Sequence, residues 1–298
     1  MKGSVKEILV QGTRSVFYNW KFMILFLGTN AAISFVLCTP IYYILIDNLN
    51  HSLMSDKLAL GFDYTWYIQL QALYSNTLEE IPYMMYIAVI FFILLQTFYS
   101  AGLIAIFNTP KKNHMVDFFY GGVKYWYRFT KVVLISIMLY GLALWINGLL
   151  GDLIIYIFKD TEHEMTEFII RSVRYVLLVF FIVVISLISD YTKVSLAVKD
   201  SDHVTKGIKE ALLFIQRNFT IVFSVFIVIE IVFVTGAILY NVAGSLIPRT
   251  PYYFLVLSFF MQQMLIIFRL LIRMLFYSTE VNIYKDINAE VVFTTIEK

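Results

Sequence analysis

The chain has 298 residues, of which 60% are hydrophobic, 17% aromatic and only 15% charged, and its net charge at pH 7 is +2. About a quarter of the residues in soluble globular proteins are charged, so this composition and a mean hydropathy of +0.76 exclude that class and predict an integral membrane protein. The net charge is too small to favour a nucleic acid as a partner.

Six apolar stretches are each long enough to cross a bilayer, which takes about 20 helical residues. They predict an all-α integral membrane protein, with residues 1–298 forming a single polytopic membrane domain that leaves no room for a separate soluble domain. The first stretch is longer than the apolar part of a signal peptide, so we expect it to stay in the mature protein. The predicted spans cover residues 22–46, 82–107, 132–157, 175–198, 220–240 and 252–277.

Basic amphipathic segments flank these spans. Residues 1–20 place apolar side chains at helical spacing, which predicts a helix lying in the membrane interface. The connection 108–131 mixes lysine and arginine with aromatic residues, as the headgroup region favours. Before the fifth span, Asp202 is a predicted N-cap of a second basic amphipathic helix. Residues 278–298 are predicted to be a polar tail, in which residues 291–295 (VVFTT) could pair as a strand with a partner.

The distribution of basic residues predicts the orientation. Six spans place both termini on one side of the membrane, and eighteen of the 23 lysines and arginines are expected on that side. Because cytoplasmic loops carry the excess of positive charge, both termini and the interfacial helices are predicted to face the cytoplasm, in a cell (inner) membrane. The five basic residues expected on the opposite side are Lys57, Lys159, Arg171, Arg174 and Arg249.

Three stretches share a plan in which a glycine begins a basic amphipathic segment that leads into an odd-numbered span. They start at Gly12, Gly122 and Gly207. One interpretation is a threefold repeat of a helix-plus-hairpin unit. The other is that any interfacial helix before a span has this composition, and the sequence leaves both open.

Two segments of the second half carry a resemblance to a known family. DYTKVSLAV (residues 190–198) and GIKEALLFIQRNF (residues 207–219) are separated by a short polar break and lead into a span. This pattern resembles poorly characterised prokaryotic multi-pass proteins grouped around the glycerophosphodiester phosphodiesterase membrane domain. The resemblance covers the second half of the chain and the N-terminal helix. It implies an architecture and no activity, because the phosphodiesterase catalytic domain is lacking here.

One carboxylate, Glu230, is predicted near the middle of the fifth span, about 15 Å from Thr220 at 1.5 Å per residue. An ionised carboxylate there costs at least about 2.5 kcal/mol, so we expect it to face the bundle interior and to pair with Arg269. Arg273 is predicted nearer the surface, and Gln262 and Gln263 could join a polar cavity with Glu230. The pair is interpreted either as a proton or substrate site or as a structural contact.

Other polar residues within the spans are explained by hydrogen bonds between helices, worth about 0.6 kcal/mol or more each. They are Asn30, Gln96, Asn147 and Ser186.

No motif for chemistry is recognisable. The stretch from His163 to Glu167 lacks the second histidine of a zinc-binding helix, and Cys38 is the only cysteine, which excludes an internal disulfide and a cysteine metal site. We therefore predict no catalytic, cofactor-binding or metal-binding residue.

The sequence favours a non-enzymatic membrane subunit or scaffold, whose partners are the lipid bilayer and either other membrane proteins or further copies of itself. The alternative is a transporter of an ion, small molecule or lipid with a polar site between the fifth and sixth spans. An intramembrane enzyme ranks last, because no catalytic pair is recognisable.

Overall fold

The protein is built almost entirely of α-helices. A computed structural model describes residues 5–50, 52, 54–61, 63–109, 115–158, 164–248 and 253–296. Of these residues 94% are helical and none lies in a strand, which confirms the all-α class. The helices are α1 (Val5–Tyr18), α2 (Lys21–Leu49), α3 (Met54–Leu60), α4 (Tyr64–Leu73), α5 (Ser75–Asn108), α6 (Met115–Phe158), α7 (Glu164–Val198), α8 (Val204–Arg217), α9 (Phe219–Leu246) and α10 (Tyr253–Ile296).

Six of these helices, α2, α5, α6, α7, α9 and α10, are long and apolar enough to cross a membrane. Each corresponds to one of the six predicted spans, so the protein is a multi-pass membrane protein. A spanning helix satisfies its backbone hydrogen bonds internally and can therefore expose its apolar side chains to lipid.

The helices extend beyond the spans that were predicted from apolar sequence. Helix α6 begins at Met115, within the predicted connection, and α7 begins at Glu164 instead of residue 175. Helix α10 continues to Ile296, so the predicted tail is helical as far as that residue, including residues 291–295, whose pairing as a strand with a partner stays a prediction. Apolar residues mark only the part of a helix that meets lipid, whereas its backbone hydrogen bonds continue into polar sequence.

A side-chain hydrogen-bond cap explains where α4 begins, whereas α8 begins without one. Asp63 caps α4, because its carboxylate accepts from the backbone N–H groups of Thr65 and Trp66 at 2.9 and 3.1 Å. Helix α8 instead follows His203, which makes no side-chain cap. The predicted N-cap, Asp202, forms an ion pair with Arg128. The carboxylate that the sequence predicted as a helix cap thus binds an arginine of another helix, α6, instead.

The first and third predicted repeats share a structural detail that the second lacks. Helices α1 and α8 each have 14 residues and stop just before a spanning helix. At both stops an asparagine bonds the carbonyl four residues earlier, Asn19 to Ser15 at 2.8 Å and Asn218 to Phe214 at 3.0 Å. Helix α6 instead runs from its basic segment into its apolar part without a break. The threefold repeat stays a prediction, and the similarity of these two stops supports it for α1 and α8.

The chain forms two compact units. Unit 1 comprises residues 1–12, 97–225 and 277–298, and unit 2 comprises residues 13–96 and 226–276. In unit 1, the ring of Phe214 on α8 lies between those of Tyr191 and Tyr284, with centroids 5.4 and 4.8 Å away. These three aromatic side chains join α7, α8 and α10.

Glycines allow α5 and α6 to approach closely within unit 1. A Cβ atom placed on Gly102 would lie 2.8 Å from the carbonyl oxygen of Phe118, and one on Gly121 would collide with the Cβ atom of Ala105. Small residues at such positions are typical of packed membrane helices, whose backbones come close enough for dense van der Waals contact.

Candidate functional site

Ring contacts fix the register of α9 and α10 around Glu230 in unit 2. Phe226 packs against Phe276 at 5.5 Å, and Phe233 stacks on Phe268 at 6.5 Å. The second contact lies seven residues later on α9 and eight residues earlier on α10, so the two helices are antiparallel. Glu230 is consequently level with residues 271–272.

The predicted ion pair between Glu230 and Arg269 is not formed among the residues that the structure describes. Glu230 and Arg269 lie at similar heights along the two helices, but their side chains are on faces that do not point toward each other. Ile229, only 1% exposed, occupies the inward position of α9, and Glu230 is half-buried beside it. Arg269 follows Phe268, whose ring faces α9, and is turned about 100° away from it, so its side chain is exposed.

The other predicted site residues of α10 lie mostly on one exposed face. Gln262, Ile266, Arg269 and Arg273 are all exposed and are spaced four, three and four residues apart. At 3.6 residues per turn they fall within about 60° of arc, and we call them the α10 stripe. Gln263 lies about 100° away from Gln262 and is half-buried.

A chain of three polar side chains joins α2, α5 and α10 in unit 2. Arg273 donates from Nη1 to Oε1 of Gln96 at 2.9 Å, and Nε2 of Gln96 donates to Oδ1 of Asn30 at 3.2 Å. The sequence predicted hydrogen bonding between helices for both amides, and it is confirmed. Their connection to Arg273 was not predicted.

The most deeply buried charged groups of the described residues lie in unit 1, at the end of the fourth predicted span and in the predicted tail. Lys193 on α7 is 8% exposed and donates to Oδ1 of Asp190 at 2.7 Å. Glu280 on α10 is 5% exposed, and its Oε2 atom has no hydrogen-bond partner. The charges of Asp190 and Lys193 both act on Glu280. We call Asp190, Lys193 and Glu280 the buried triad.

A hydrogen bond one turn further along α10 fixes how α7 and α10 align at the triad. Tyr284 donates from Oη to Oγ of Ser195 at 2.9 Å, a sequence separation of 89. Helices α7 and α10 are the fourth and sixth spans, and even-numbered spans cross the membrane in the same direction, so they run in parallel and keep this separation. On that register Glu280 is level with residue 191, between Asp190 and Lys193.

Further hydrogen bonds connect Ser195 to the surface of unit 1. Ser195 donates to Oε2 of Glu210 at 3.2 Å, and the ammonium of Lys199, a 45% exposed side chain, donates to the same oxygen at 2.9 Å. Burial is the largest single effect and raises the pKa of Glu210, but the hydrogen bonds from Lys199 and Ser195 and the charges of Lys199 and Lys206 together outweigh it, so the pKa lies below its ordinary value. Tyr284, Ser195, Glu210 and Lys199 therefore form a polar chain from the interior to solvent.

A second charged cluster holds the turn after α7. Asp200 has a φ of 49°, and the N–H of Ser201 bonds the carbonyl of Leu196 at 3.2 Å, the arrangement of a left-handed helix C-terminus. Its carboxylate accepts from Lys124 at 2.7 Å and from Arg128 at 3.0 Å. The bond from Lys124 is the main reason that the pKa of Asp200 lies below its ordinary value, and burial, the next largest effect, opposes it.

We expect Asp200→Asn to lower the free energy of unfolding by at most about 1 kcal/mol at neutral pH, because both ion pairs are partly exposed. Asparagine also tolerates the left-handed conformation, so the backbone should not change. Since the folded pKa is lowered, the contribution of Asp200 is present above the ordinary carboxyl pKa and is lost as the pH falls through the folded value. Thermal unfolding of both proteins from neutral to acid pH checks this, and a difference that persists in strong acid would contradict it.

No group of three or more histidine, cysteine, aspartate or glutamate side chains that could hold a metal ion occurs in the described part of the chain. The chain matches no protein-family model, no curated protein and no solved structure.

Proposed function

We propose that the chain is a non-enzymatic subunit or scaffold of a membrane assembly and that it binds a partner membrane protein through the α10 stripe. The observation that carries this proposal is the exposure of Gln262 and Arg269 on a helix long and apolar enough to span the membrane. The proposal places the protein in a cell membrane with both termini in the cytoplasm.

Exposing Arg269 and Gln262 to lipid would be energetically unfavourable. Ionisable residues within spans almost always face a bundle interior or a water-filled cavity, because an arginine at mid-membrane costs about 2.5–3.5 kcal/mol even on insertion scales. Arg269 has no ion pair among the described residues, and Gln262 lies deeper in the apolar part of α10. A second protein that supplies hydrogen-bond acceptors would remove this cost.

The charge of the stripe indicates the chemistry of the partner. Arg269 and Arg273 are cationic and Gln262 is neutral, so the complementary surface is a spanning helix that bears a carboxylate. Arginine and carboxylate form two parallel hydrogen bonds, which favours such a pair over a lysine contact in a dry interface.

Site-specific photo-crosslinking in native membranes tests the proposal. The reactive side chain is placed at Ile266, within the stripe and 37% exposed, and in the control at Met264, 66% exposed on the opposite face of α10. We expect position 266, and not position 264, to yield an adduct with one membrane protein that co-purifies in equal amount. Arg269→Glu should abolish that adduct, and replacing the partner's own intramembrane carboxylate with lysine should restore it.

Adducts with lipid alone, or equal adducts at both positions, would contradict the proposal. An adduct with a second copy of the chain would also contradict it and would identify a homo-oligomer instead.

A further inference from the structure

We propose that the buried triad of unit 1 is a proton-binding site, in which Glu280 carries the proton and Asp190 accepts its hydrogen bond. This inference is independent of the α10 stripe and of any partner. It depends on the burial of the triad, its charge balance and the orphaned oxygen of Glu280.

The charge balance of the triad is uneven. Two carboxylates face one ammonium, so the fully ionised triad would have a net charge of −1. Glu280 and Lys193 are 5% and 8% exposed and the side chain of Asp190 is 24% exposed, so water screens the excess charge only in part. An uncompensated buried charge is far more costly than a neutral acid, and such a site takes up a compensating cation.

A proton satisfies this requirement better than a metal ion does. Hard cations require several oxygen ligands, typically six or more for calcium and magnesium, whereas this triad offers two carboxylates. Lys193 already donates to Asp190 at 2.7 Å and would repel a second cation at that point. The described residues also hold no larger cluster of potential metal ligands.

Protonation also accounts for the orphaned oxygen. As a carboxylate, Glu280 can only accept hydrogen bonds, and its Oε2 atom has no donor. With a proton on that carboxyl group, Glu280 can donate to an acceptor, and the parallel register of α7 and α10 places Asp190 at its level. Two ionised carboxylates cannot form this bond.

The surroundings show which groups would respond to the proton. Glu280 interacts electrostatically with three ionisable groups, which are all on α7: Asp190, Lys193 and Tyr191. Helix α1 contributes a neutral contact, because Ser278 donates to the carbonyl of Gly12 at 3.3 Å. One turn beyond Glu280, Tyr284 begins the polar chain that ends at exposed Lys199. Loss of the proton would therefore add a negative charge between α7 and α10, on a polar path toward solvent.

Infrared spectroscopy of the purified protein tests the proposal directly, because a protonated carboxylic acid has a carbonyl stretching band separate from those of amides and carboxylates. The experiment is done in the Glu230→Gln background, which removes the one glutamate within the six predicted spans. We expect such a band at neutral pH, with a shift when isotope-labelled glutamate is incorporated. Glu280→Gln should fold normally, because it replaces a neutral acid with a neutral amide of the same shape, and it should lack the band.

Three results would overturn the proposal. The first is a neutral-pH spectrum in which labelled glutamate shifts no protonated-acid band, a result that does not depend on the folding of the Glu280 variant. The second is a band that survives in Glu280→Gln. The third is a Glu280→Gln protein that fails to fold while Glu280→Asp folds, because the site would then require an ionised carboxylate.

Discussion

Lys193→Met is expected to lower the free energy of unfolding by about 3–5 kcal/mol, the typical effect of removing one partner from a buried ion pair. The ammonium of Lys193 lies 2.7 Å from Asp190 and also acts on Glu280, so its removal leaves acidic groups in unit 1 without their common cation. Methionine keeps the length and the apolar stem of the side chain, which limits the change to the charge. Denaturation of the purified protein in detergent measures the difference.

Lys199→Met is the matched control for this prediction. It removes a lysine six residues further along the chain, whose pair with Glu210 is 45% exposed on the lysine side, and it should cost at most about 1 kcal/mol. Asp190→Asn in the Lys193→Met background should recover part of the lost stability, since it removes the carboxylate that lost its partner. Equal effects of the two lysine substitutions would show that burial does not strengthen the triad.

Gly121→Ala is expected to destabilise the contact between α5 and α6 by about 1–3 kcal/mol, the range for overpacking a dense interior. The added methyl group would collide with the side chain of Ala105, which has no rotamer with which to move away. The helices would have to separate, and the close contact at Gly102 would loosen with them. Thermal unfolding in detergent measures the loss.

Gly141→Ala provides the control in the same helix. A Cβ atom there would meet nothing within 4 Å, so the substitution should stabilise the protein by about 0.5–1 kcal/mol, because alanine favours the helix over glycine. Opposite signs for the two substitutions would confirm that contact, and not helix propensity, decides the outcome at Gly121. Stabilisation in both would contradict the tight packing of α5 and α6.

The sequence predicted the number and approximate places of the spanning helices because each requires a long apolar run. It did not predict where the helices end, since polar residues continue a helix wherever another part of the protein covers them. Residues 278–288 illustrate this point: their serine, threonine, glutamate and lysine side chains indicated a tail. In the structure Ser278, Thr279 and Glu280 are buried.

Intramembrane polar residues were recognised from the sequence, but their partners were not. Depth along a helix follows from counting residues, which placed Glu230 and Arg269 at similar levels. Direction around a helix depends on which face packs, and the rings of Phe233 and Phe268 determine it here. The triad was missed because Glu280 is 87 or more positions away from Asp190 and Lys193 in sequence, and only the parallel alignment of α7 and α10 brings it to them. A helical extension of the sixth span, read from the apolar spacing of residues 277–284, is the signal that could have indicated it.

Helix α6 is continuous over 44 residues and is therefore about 66 Å long, roughly twice the thickness of the hydrocarbon layer. Its first turns carry Lys124 and Arg128, which hold Asp200 at the end of α7. A bilayer that becomes thinner makes a long spanning helix tilt. Tilting of this continuous helix also displaces its N-terminal turns. The geometry of the ion pairs between Asp200 and these turns would therefore depend on the thickness of the surrounding membrane.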